Sequence, residues 1–140
     1  MKIIQREILL PAAGPGFHLI TDIILQKLPE LKTIKSGLIN ILIQHTSASL
    51  TLNENVDPDV RKDMESYFNI SVKENEPYYL HTSEGSDDMP AHIKTSILGS
   101  TITLPVSDGM LALGTWQGIY LCEHRKNARR RKLFVTLMGE

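Results

Sequence analysis

Apolar residues in the first half of the chain come in short runs that prolines and glycines separate. Residues 2–10 alternate Ile and Leu with polar residues, which predicts a strand that the Pro- and Gly-rich residues 11–16 end. Residues 20–28 carry isoleucine and leucine at helical spacing, and the proline after them ends a predicted helix. Residues 38–43 form an almost continuous apolar run, which predicts a strand buried on both faces, and residues 50–52 predict a shorter strand.

The second half begins with two helix starts and then changes to a period of two. Asp57-Pro58 predicts the first start, because aspartate accepts backbone N–H groups at a helix cap and proline fits the first turn. A second helix is predicted near Asp87 or Asp88. Its apolar stripe has three members at helical spacing, Met89, Ile93 and Ile97. The alternation that follows predicts strands at residues 102–106, 110–113, 119–123 and 133–138.

Strands and helices are mixed here without regular alternation. The sequence therefore predicts an α+β class, with one domain over residues 1–140 built as a sandwich-like fold of mixed β-sheet and a few helices. A formal net charge of -1 favours neither nucleic acid nor an anionic membrane. No apolar run approaches the roughly 18 residues that span a bilayer. The single cysteine, Cys122, lies in an apolar strand as a packed thiol and suits a reducing compartment, so we expect a cytoplasmic protein.

Two separate segments carry histidines that could act in catalysis or bind a metal. His45 lies in a polar run directly after the apolar residues 38–43, where a rigid strand can hold a site. Asp88 and His92 are four residues apart and share a helix face, so the carboxylate can orient the ring. The alternatives are a turn histidine for His45, and a helix cap with a surface histidine for the other pair.

Two further segments could hold a polar or heteroaromatic ligand. Asn53 and Glu54 bring an amide and a carboxylate next to each other, which suits a metal or a hydroxyl group. Thr115, Trp116 and Gln117 lie between two glycines, and the lone tryptophan can stack on a ring. The alternative for this second segment is a tight bend with tryptophan in the core.

A basic run near the C-terminus contains the best candidate for phosphate binding, Arg125, because a guanidinium matches phosphate oxygens bidentately. The remaining basic residues, Arg129 to Lys132, are interpreted as a solvated hairpin turn. RNA binding would require interleaved aromatic residues, and the run has none. No segment has the pattern of a catalytic nucleophile.

Taken together, these segments resemble the YjbQ family. The motifs that carry the resemblance occur in order along the whole chain: Gln44-His45-Thr46-Ser47-Ala48-Ser49-Leu50, Asn53-Glu54-Asn55 with Asp57-Pro58, Asp88-Met89-Pro90-Ala91-His92, and Leu113-Gly114-Thr115-Trp116-Gln117-Gly118-Ile119-Tyr120 with Glu123. The family is described as a secondary thiamine-phosphate synthase. The resemblance thus implies a transferase of thiamine biosynthesis that joins hydroxymethylpyrimidine diphosphate to thiazole phosphate, releases pyrophosphate, and has this reaction as a weak or side activity. It also implies a sandwich-like α+β fold and a homotrimer.

Such a reaction needs a surface for ring stacking, donors for the aminopyrimidine and cations for the departing pyrophosphate, but no protein nucleophile. The candidate catalytic residues are His45, His92 and Glu123. The candidate residues for binding the phosphorylated substrate are Asn53, Thr115, Trp116, Gln117 and Arg125. A divalent metal, magnesium or zinc, would take its ligands from His45, Glu54, Asp88 and His92.

Two other functions fit the same residues. One is a non-catalytic module that binds a phosphorylated metabolite, and the other is a metal-dependent hydrolase. Histidines with carboxylates suit zinc or a transition metal, whereas amides with carboxylates suit magnesium. The set of ligands that actually converge therefore separates these functions.

Overall fold

Two β-sheets and three α-helices make up the structure, a computed structural model that describes residues 1–140. The strands are β1 (Lys2–Leu9), β2 (Gly16–Leu19), β3 (Ser36–Ile43), β4 (Ala48–Glu54), β5 (Thr101–Ser107), β6 (Met110–Leu111), β7 (Gln117–Glu123) and β8 (Lys132–Gly139). The helices are α1 (Thr21–Lys27), α2 (Pro58–Ser71) and α3 (Asp88–Leu98), with a 3₁₀ helix at Pro29–Thr33. The predicted α+β class is confirmed.

Both sheets are antiparallel throughout, so the expected mixed sheet does not occur. The larger sheet has the order β1-β8-β3-β5-β6, and the smaller has the order β2-β7-β4. The main core lies between the two sheets and includes α1. A second apolar cluster lies on the other face of the small sheet, where Phe17, Tyr120 and Cys122 pack against Phe68 of α2. Helices α2 and α3 thus cover the small sheet.

The strand that is buried on both faces is β7, and the prediction that residues 38–43 would be so is wrong. In β7 every residue after the first is buried, because one face meets the main core and the other meets the helices. In β3, Ile39 and Ile41 face the core, while Leu38 and Leu42 lie on the uncovered outer face. No element packs over that outer face, so the apolar run alone could not tell the two cases apart.

The sequence predicts where the helices start more accurately than which of their residues are buried. Asp57 caps α2, since its Oδ1 accepts a hydrogen bond of 2.9 Å from the backbone N–H of Asp59. Helix α3 does not bury the predicted stripe: Ile97 is 60% exposed. The face of α3 that turns inward instead carries Asp88, Ala91, Pro90, Lys94 and Thr95. Polar contacts therefore orient this helix as much as apolar burial does.

Strand β2 was not predicted, because its sequence begins in the glycine- and proline-rich segment. It pairs with β7 from Gly16 to Leu19 and brings Phe17 into the second cluster. Cys122 is fully buried as expected, and burial raises the pKa of its thiol to about 12. None of the helices is long and apolar enough to cross a bilayer.

Candidate functional site

A compact cluster of two histidines and an aspartate lies at the start of α3. The Nε2 atom of His81 is 2.6 Å from Asp88 Oδ2, and the Nε2 atom of His92 is 3.1 Å from the same oxygen. The ligand atoms of the three residues all lie within 4.8 Å of one another. His81 comes from the loop before α3, and the helix places Asp88 and His92 one turn apart. We call this group the His81–Asp88–His92 cluster.

The ring of His92 is held in one tautomer. Its Nδ1 lies 2.9 Å from the carbonyl oxygen of Thr46, which can only accept, so Nδ1 carries a proton and donates it. In the neutral ring, the lone pair on Nε2 then points at the Asp88 carboxylate. Two acceptors at this distance repel each other unless a proton or a cation lies between them. A backbone carbonyl that fixes the far nitrogen of a histidine is the usual support of a metal-ligating imidazole.

Asp88 is ionised and almost fully buried. Burial by itself would raise the pKa of this carboxyl, but the hydrogen bond from His81 and the charge of Arg125 hold it below its usual range. Arg125 Nη1 bonds Asp88 Oδ1, and Arg125 Nε lies 3.1 Å from Asp87 Oδ2. The cluster therefore keeps a negative centre beside two imidazoles, which is the donor set that zinc or a similar ion takes.

A second network begins at His45 and runs into the core. Its Nε2 accepts a hydrogen bond of 2.8 Å from the backbone N–H of Lys132, and its Nδ1 lies 3.3 Å from Arg131 Nη1. Burial, followed by the charge of Arg131, lowers the pKa of His45. Arg131 in turn forms two hydrogen bonds of 2.7 Å to the carboxylate of Glu123, which is 1% exposed. Glu123 also accepts from the backbone N–H groups of His124 and Arg125.

This network lines a cavity of about 320 Å³ that we call the arginine cleft. Its polar walls consist of His45, Ser47, Arg125, Asn127, Arg129, Arg130 and Arg131. Arg125 lines the cleft and also bonds Asp88 of the His81–Asp88–His92 cluster, so the two are adjacent. The interpretation of Arg129 to Lys132 as a solvated turn is wrong for Arg131, which is buried and ion-paired.

The remaining candidate residues lie at the other end of the small sheet. Glu54 on β4 pairs with Gln117 on β7, whereas Ala48 pairs with Glu123. Six residues of strand separate these ends, which is roughly 20 Å. At the far end, Gln117 Oε1 accepts from the backbone N–H of Gly114 at 2.8 Å, and Trp116 is 63% exposed. The alternative interpretation of Trp116 as a core residue is therefore wrong.

Asn53 and Glu54 are bound locally at this far end. Asn53 Oδ1 accepts from the backbone N–H of Glu54 at 2.8 Å, and Glu54 Oε2 lies 3.3 Å from the N–H of Asp57. The carbonyl of Glu54 accepts a short hydrogen bond from the Tyr120 hydroxyl. Thr115, next to the exposed tryptophan, offers its carbonyl to Asn55 at 3.3 Å.

The metal ligands predicted from the sequence are thus only half assembled within one chain. Asp88 and His92 come together, but Glu54 lies at the far end of the sheet and both ring nitrogens of His45 face donors of the protein. His81 completes the cluster and was not selected as a ligand from the sequence. His81 lies before the helix start predicted near Asp87 or Asp88, so helical spacing could not relate it to Asp88, and only the loop before α3 brings it back.

The chain was also compared with known proteins. A family model described as UPF0047 protein YjbQ-like matches residues 6–140. The UPF0047 protein YjbQ of Salmonella typhimurium is 55% identical over 136 residues, which cover 97% of this chain and 98% of that protein. The UPF0047 protein YugU of Bacillus subtilis is 42% identical over 106 residues, which cover 76% of this chain and 77% of that protein.

Solved structures agree with these sequence matches. An uncharacterized conserved protein of the YjbQ/UPF0047 family from Clostridium acetobutylicum superposes with a TM-score of 0.84 at 33% identity, covering 95% of this chain and 99% of that chain. A YbjQ-like protein of unknown function from Sulfolobus solfataricus gives a TM-score of 0.86 at 25% identity, with 99% of both chains covered. The resemblance seen in the motifs is confirmed, and the chain belongs to the YjbQ/UPF0047 family.

Proposed function

We propose that the chain is a transferase of the secondary thiamine-phosphate synthase type, with this reaction as a weak or side activity. The observation that carries the proposal is that Arg125 joins the His81–Asp88–His92 cluster to the arginine cleft. A set of metal-type ligands beside a cavity of arginines suits a substrate that carries a diphosphate. The motif resemblance to the family supplies the identity of that substrate.

The reaction is a displacement at the CH₂ group of hydroxymethylpyrimidine diphosphate. The thiazole nitrogen forms a bond to this carbon, the carbon–oxygen bond breaks, and pyrophosphate leaves with the electron pair. No proton transfer and no protein nucleophile are needed, so catalysis reduces to orientation and to stabilising charge on the leaving group. The networks around His45 and Glu123 fit this demand, since they hold cationic groups in place.

Arg125 and Arg129 are the groups best suited to hold the pyrophosphate. Arg125 has five N–H groups and uses three of them on Asp87, Asp88 and the carbonyl of Glu84, which leaves two for a ligand. Arg129 is exposed at the mouth of the cleft. Arg131 is occupied by Glu123 and Ser47, and its role is to shape the wall.

A divalent metal fits the cluster on the chemistry of its donors. His81 and His92 with Asp88 provide two imidazoles and one carboxylate, a set that favours zinc or a similar ion over magnesium. When bound, such an ion supplies positive charge to oxygens of the leaving pyrophosphate. The hydrogen bond from His92 to Thr46 and the contact of Asp88 with Arg125 keep the ligands in position.

The pyrimidine would be recognised by Trp116 and Gln117, and this requires a second copy of the chain. Within one chain, these residues lie roughly 20 Å along β7 from the His81–Asp88–His92 cluster. A homotrimer would place the Trp116 end of one subunit against the histidine end of its neighbour. The exposure of Trp116 leaves its ring free for such a contact, and tryptophan is enriched at protein interfaces.

The activity is tested with the purified protein, both phosphorylated substrates and magnesium or zinc. The wild type should form thiamine phosphate above a heat-killed control. Trp116→Ala should weaken pyrimidine binding by roughly 1–3 kcal/mol, by analogy with base–aromatic stacking. Tyr78→Ala removes another exposed aromatic residue and serves as the matched control. Circular dichroism must show that both variants are folded, and absence of product under all metal conditions would overturn the proposal.

Metal binding is tested separately by calorimetry with zinc. The wild type should bind one ion per chain, and His92→Ala and His81→Ala should each abolish most of the heat. His18→Ala is the matched control, because His18 lies on β2 and bonds Gly14 away from the cluster. Equal heats in all four proteins would show that His81 and His92 do not bind the metal.

Metal-dependent hydrolysis of a phosphorylated metabolite is a second candidate function. The specific observation in its favour is that three protein ligands leave a coordination position for water, as in catalytic zinc sites. Release of inorganic phosphate from a phosphomonoester, lost in His92→Ala, would favour it. Tight binding of such a compound with neither hydrolysis nor transfer would favour a non-catalytic binding module.

A further inference from the structure

A second cavity lies on the opposite face of α3 from the cluster. It has a volume of about 490 Å³ and opens between the C-terminal half of α2 and the face of α3 that carries Asp87, Pro90 and Lys94. Its floor includes His124, the residue directly after β7. None of the three cluster residues lines it, and neither does Arg125. We call this cavity the α2–α3 cleft.

Lys94 is a buried lysine on the wall of this cleft, and its ammonium group makes a single hydrogen bond within the chain. The residue is 7% exposed, and its Nζ donates a hydrogen bond of 2.8 Å to Asn69 Oδ1. An ammonium group has three N–H donors, so this bond leaves two of them free. No carboxylate of the chain lies within 4.0 Å of Nζ. Burial lowers the pKa of this ammonium group, while the more distant charges of Glu65, Glu74 and Asp87 raise it. A buried ammonium group that does not use all its N–H donors within the chain is suited to bind an anionic group from outside the chain.

His124 is a second buried polar group in the same cleft. It is also 7% exposed, and its Nε2 lies 2.8 Å from Ser49 Oγ. Burial lowers the pKa of the ring to about 3, so the ring is neutral at physiological pH. In the tautomer in which the Ser49 hydroxyl donates to Nε2, the ring proton resides on Nδ1, and no residue of the chain forms a hydrogen bond with Nδ1. The cleft thus offers donors from two different elements.

Two of the three carboxylates that line the cleft are paired with cations. Glu74 is bound by Lys126 Nζ at 3.0 Å, and Asp87 accepts from the backbone N–H of Lys126 and from Arg125. Glu65, at the rim, contacts the amide of Asn69 at 3.3 Å. Lys94 is thus a buried lysine of the cleft without an ion pair, whereas Lys73, which also lines the cleft, is exposed.

We propose that the α2–α3 cleft is a binding site for a small metabolite with an oxyanion, which Lys94 and His124 hold. The oxyanion accepts hydrogen bonds from Nζ of Lys94 and Nδ1 of His124, and Asn69 fixes the lysine. The volume fits a compound of metabolite size. A carboxylate and a phosphate monoester present the same acceptor oxygens, so the site is defined by this shared chemistry. It is separate from the transferase site proposed above.

The test is a ¹H–¹⁵N NMR titration of the full chain with inorganic phosphate and, separately, with acetate, at constant ionic strength. Saturable shifts should centre on Lys94, Asn69 and His124 for at least one of the two anions. Saturation by phosphate with the lower Kd assigns a phosphate monoester, and saturation by acetate with the lower Kd assigns a carboxylate. Shifts confined to the arginine cleft, or none that saturate, would overturn the proposal.

Lys94→Gln keeps the size of the side chain and removes its charge, and it should raise the Kd at least tenfold. Lys62→Met removes an exposed lysine near the start of α2 and is the matched control for net charge. His92→Ala should leave anion binding in the α2–α3 cleft unchanged, which separates this site from the metal cluster. Unaltered binding by Lys94→Gln would contradict the proposal. Should that variant fail to fold, the map of shifts in the wild type and in His92→Ala still decides.

Discussion

At the scale of single residues, buried charges decide much of the geometry around the candidate site. The carboxylate of Glu123 receives four hydrogen bonds, two of them from Arg131, and both residues are buried. This ion pair links the end of β7 to the start of β8, and Arg131 also contacts the ring of His45. A network of this kind is sensitive to loss of one partner, because the other charge is then left buried alone.

Arg131→Met should therefore destabilise the protein by about 3–5 kcal/mol, since it leaves Glu123 without its counter-charge. Urea unfolding monitored by circular dichroism measures the change. Arg129→Met is the control: Arg129 is exposed and its replacement should change stability by less than about 0.5 kcal/mol. Similar losses of stability in the two variants would show that the Glu123–Arg131 ion pair contributes no more than an exposed arginine.

His124 makes stability depend on pH in a predictable direction. Its pKa is lowered from 6.5 to about 3 by burial, so the unfolded chain takes up this proton at a higher pH than the folded protein. The stability associated with the neutral ring is present above pH 6.5 and is lost as the pH falls toward 3. Between pH 7 and pH 5, this histidine alone should cost about 2 kcal/mol.

Urea unfolding at pH 7, 6 and 5 tests this dependence. His124→Asn should remove most of the loss between pH 7 and pH 5, whereas His18→Asn should retain it. His45, whose pKa is also lowered, contributes in the same direction, so the comparison of variants and not the wild-type slope is decisive. If the free energy of unfolding changed with pH in the same way in His124→Asn and in the wild type, the ring of His124 would not be desolvated in the folded protein.

At the scale of elements, helices α2 and α3 begin with different kinds of contact. Helix α2 begins with a side-chain cap from Asp57. Helix α3 has no such cap: Asp87 and Asp88 bond Arg125 from the segment after β7. The first device is local in sequence, and the second joins residues that are almost forty positions apart. Of these two helices, α2 therefore has the start that depends less on residues distant in sequence.

Asp57→Ala should cost about 1 kcal/mol, because the first turn of α2 loses the acceptor for the N–H of Asp59. Thermal and urea unfolding measure this loss. Asp63→Ala, an exposed replacement within the same helix, is the matched control and should be nearly neutral. The cap has no energetic role if the two variants unfold together.

At the scale of the whole molecule, the two ends of the small sheet carry different polar groups. The histidine end has metal-type ligands and arginines, and the tryptophan end has an exposed aromatic ring and amides. A chain of this size holds them apart, so a shared site requires contact between subunits. Rotational symmetry would give each interface one end from each neighbour.

Light scattering should accordingly give three times the mass of the chain, and subunit mixing should reveal composite sites. His92→Ala and Trp116→Ala trimers should each have low activity. After they are dissociated and reassembled at equal ratio, activity should recover to about a quarter of the wild type, because random mixing gives that share of interfaces with both residues intact. A monomer mass, or active mutants with no recovery on mixing, would exclude an intersubunit site.

The sequence by itself determined the α+β class, most of the elements, the cap of α2 and the pairing of Asp88 with His92. All of these follow from short-range rules: the period of apolar residues, the capping chemistry of aspartate and the spacing of one helical turn. The motifs also sufficed to identify the family, because their order is read from the chain and does not depend on where they lie in space.

Only the tertiary structure decided which polar groups converge. His81 joins the cluster through a loop, Arg131 is buried by pairing with Glu123, and Glu54 is carried to the far end of β4. Which strand is buried on both faces was settled in the same way, because helices cover β7 while the outer face of β3 remains open. Each of these facts depends on contacts between residues far apart in the chain, and the local pattern of polar and apolar positions does not contain them.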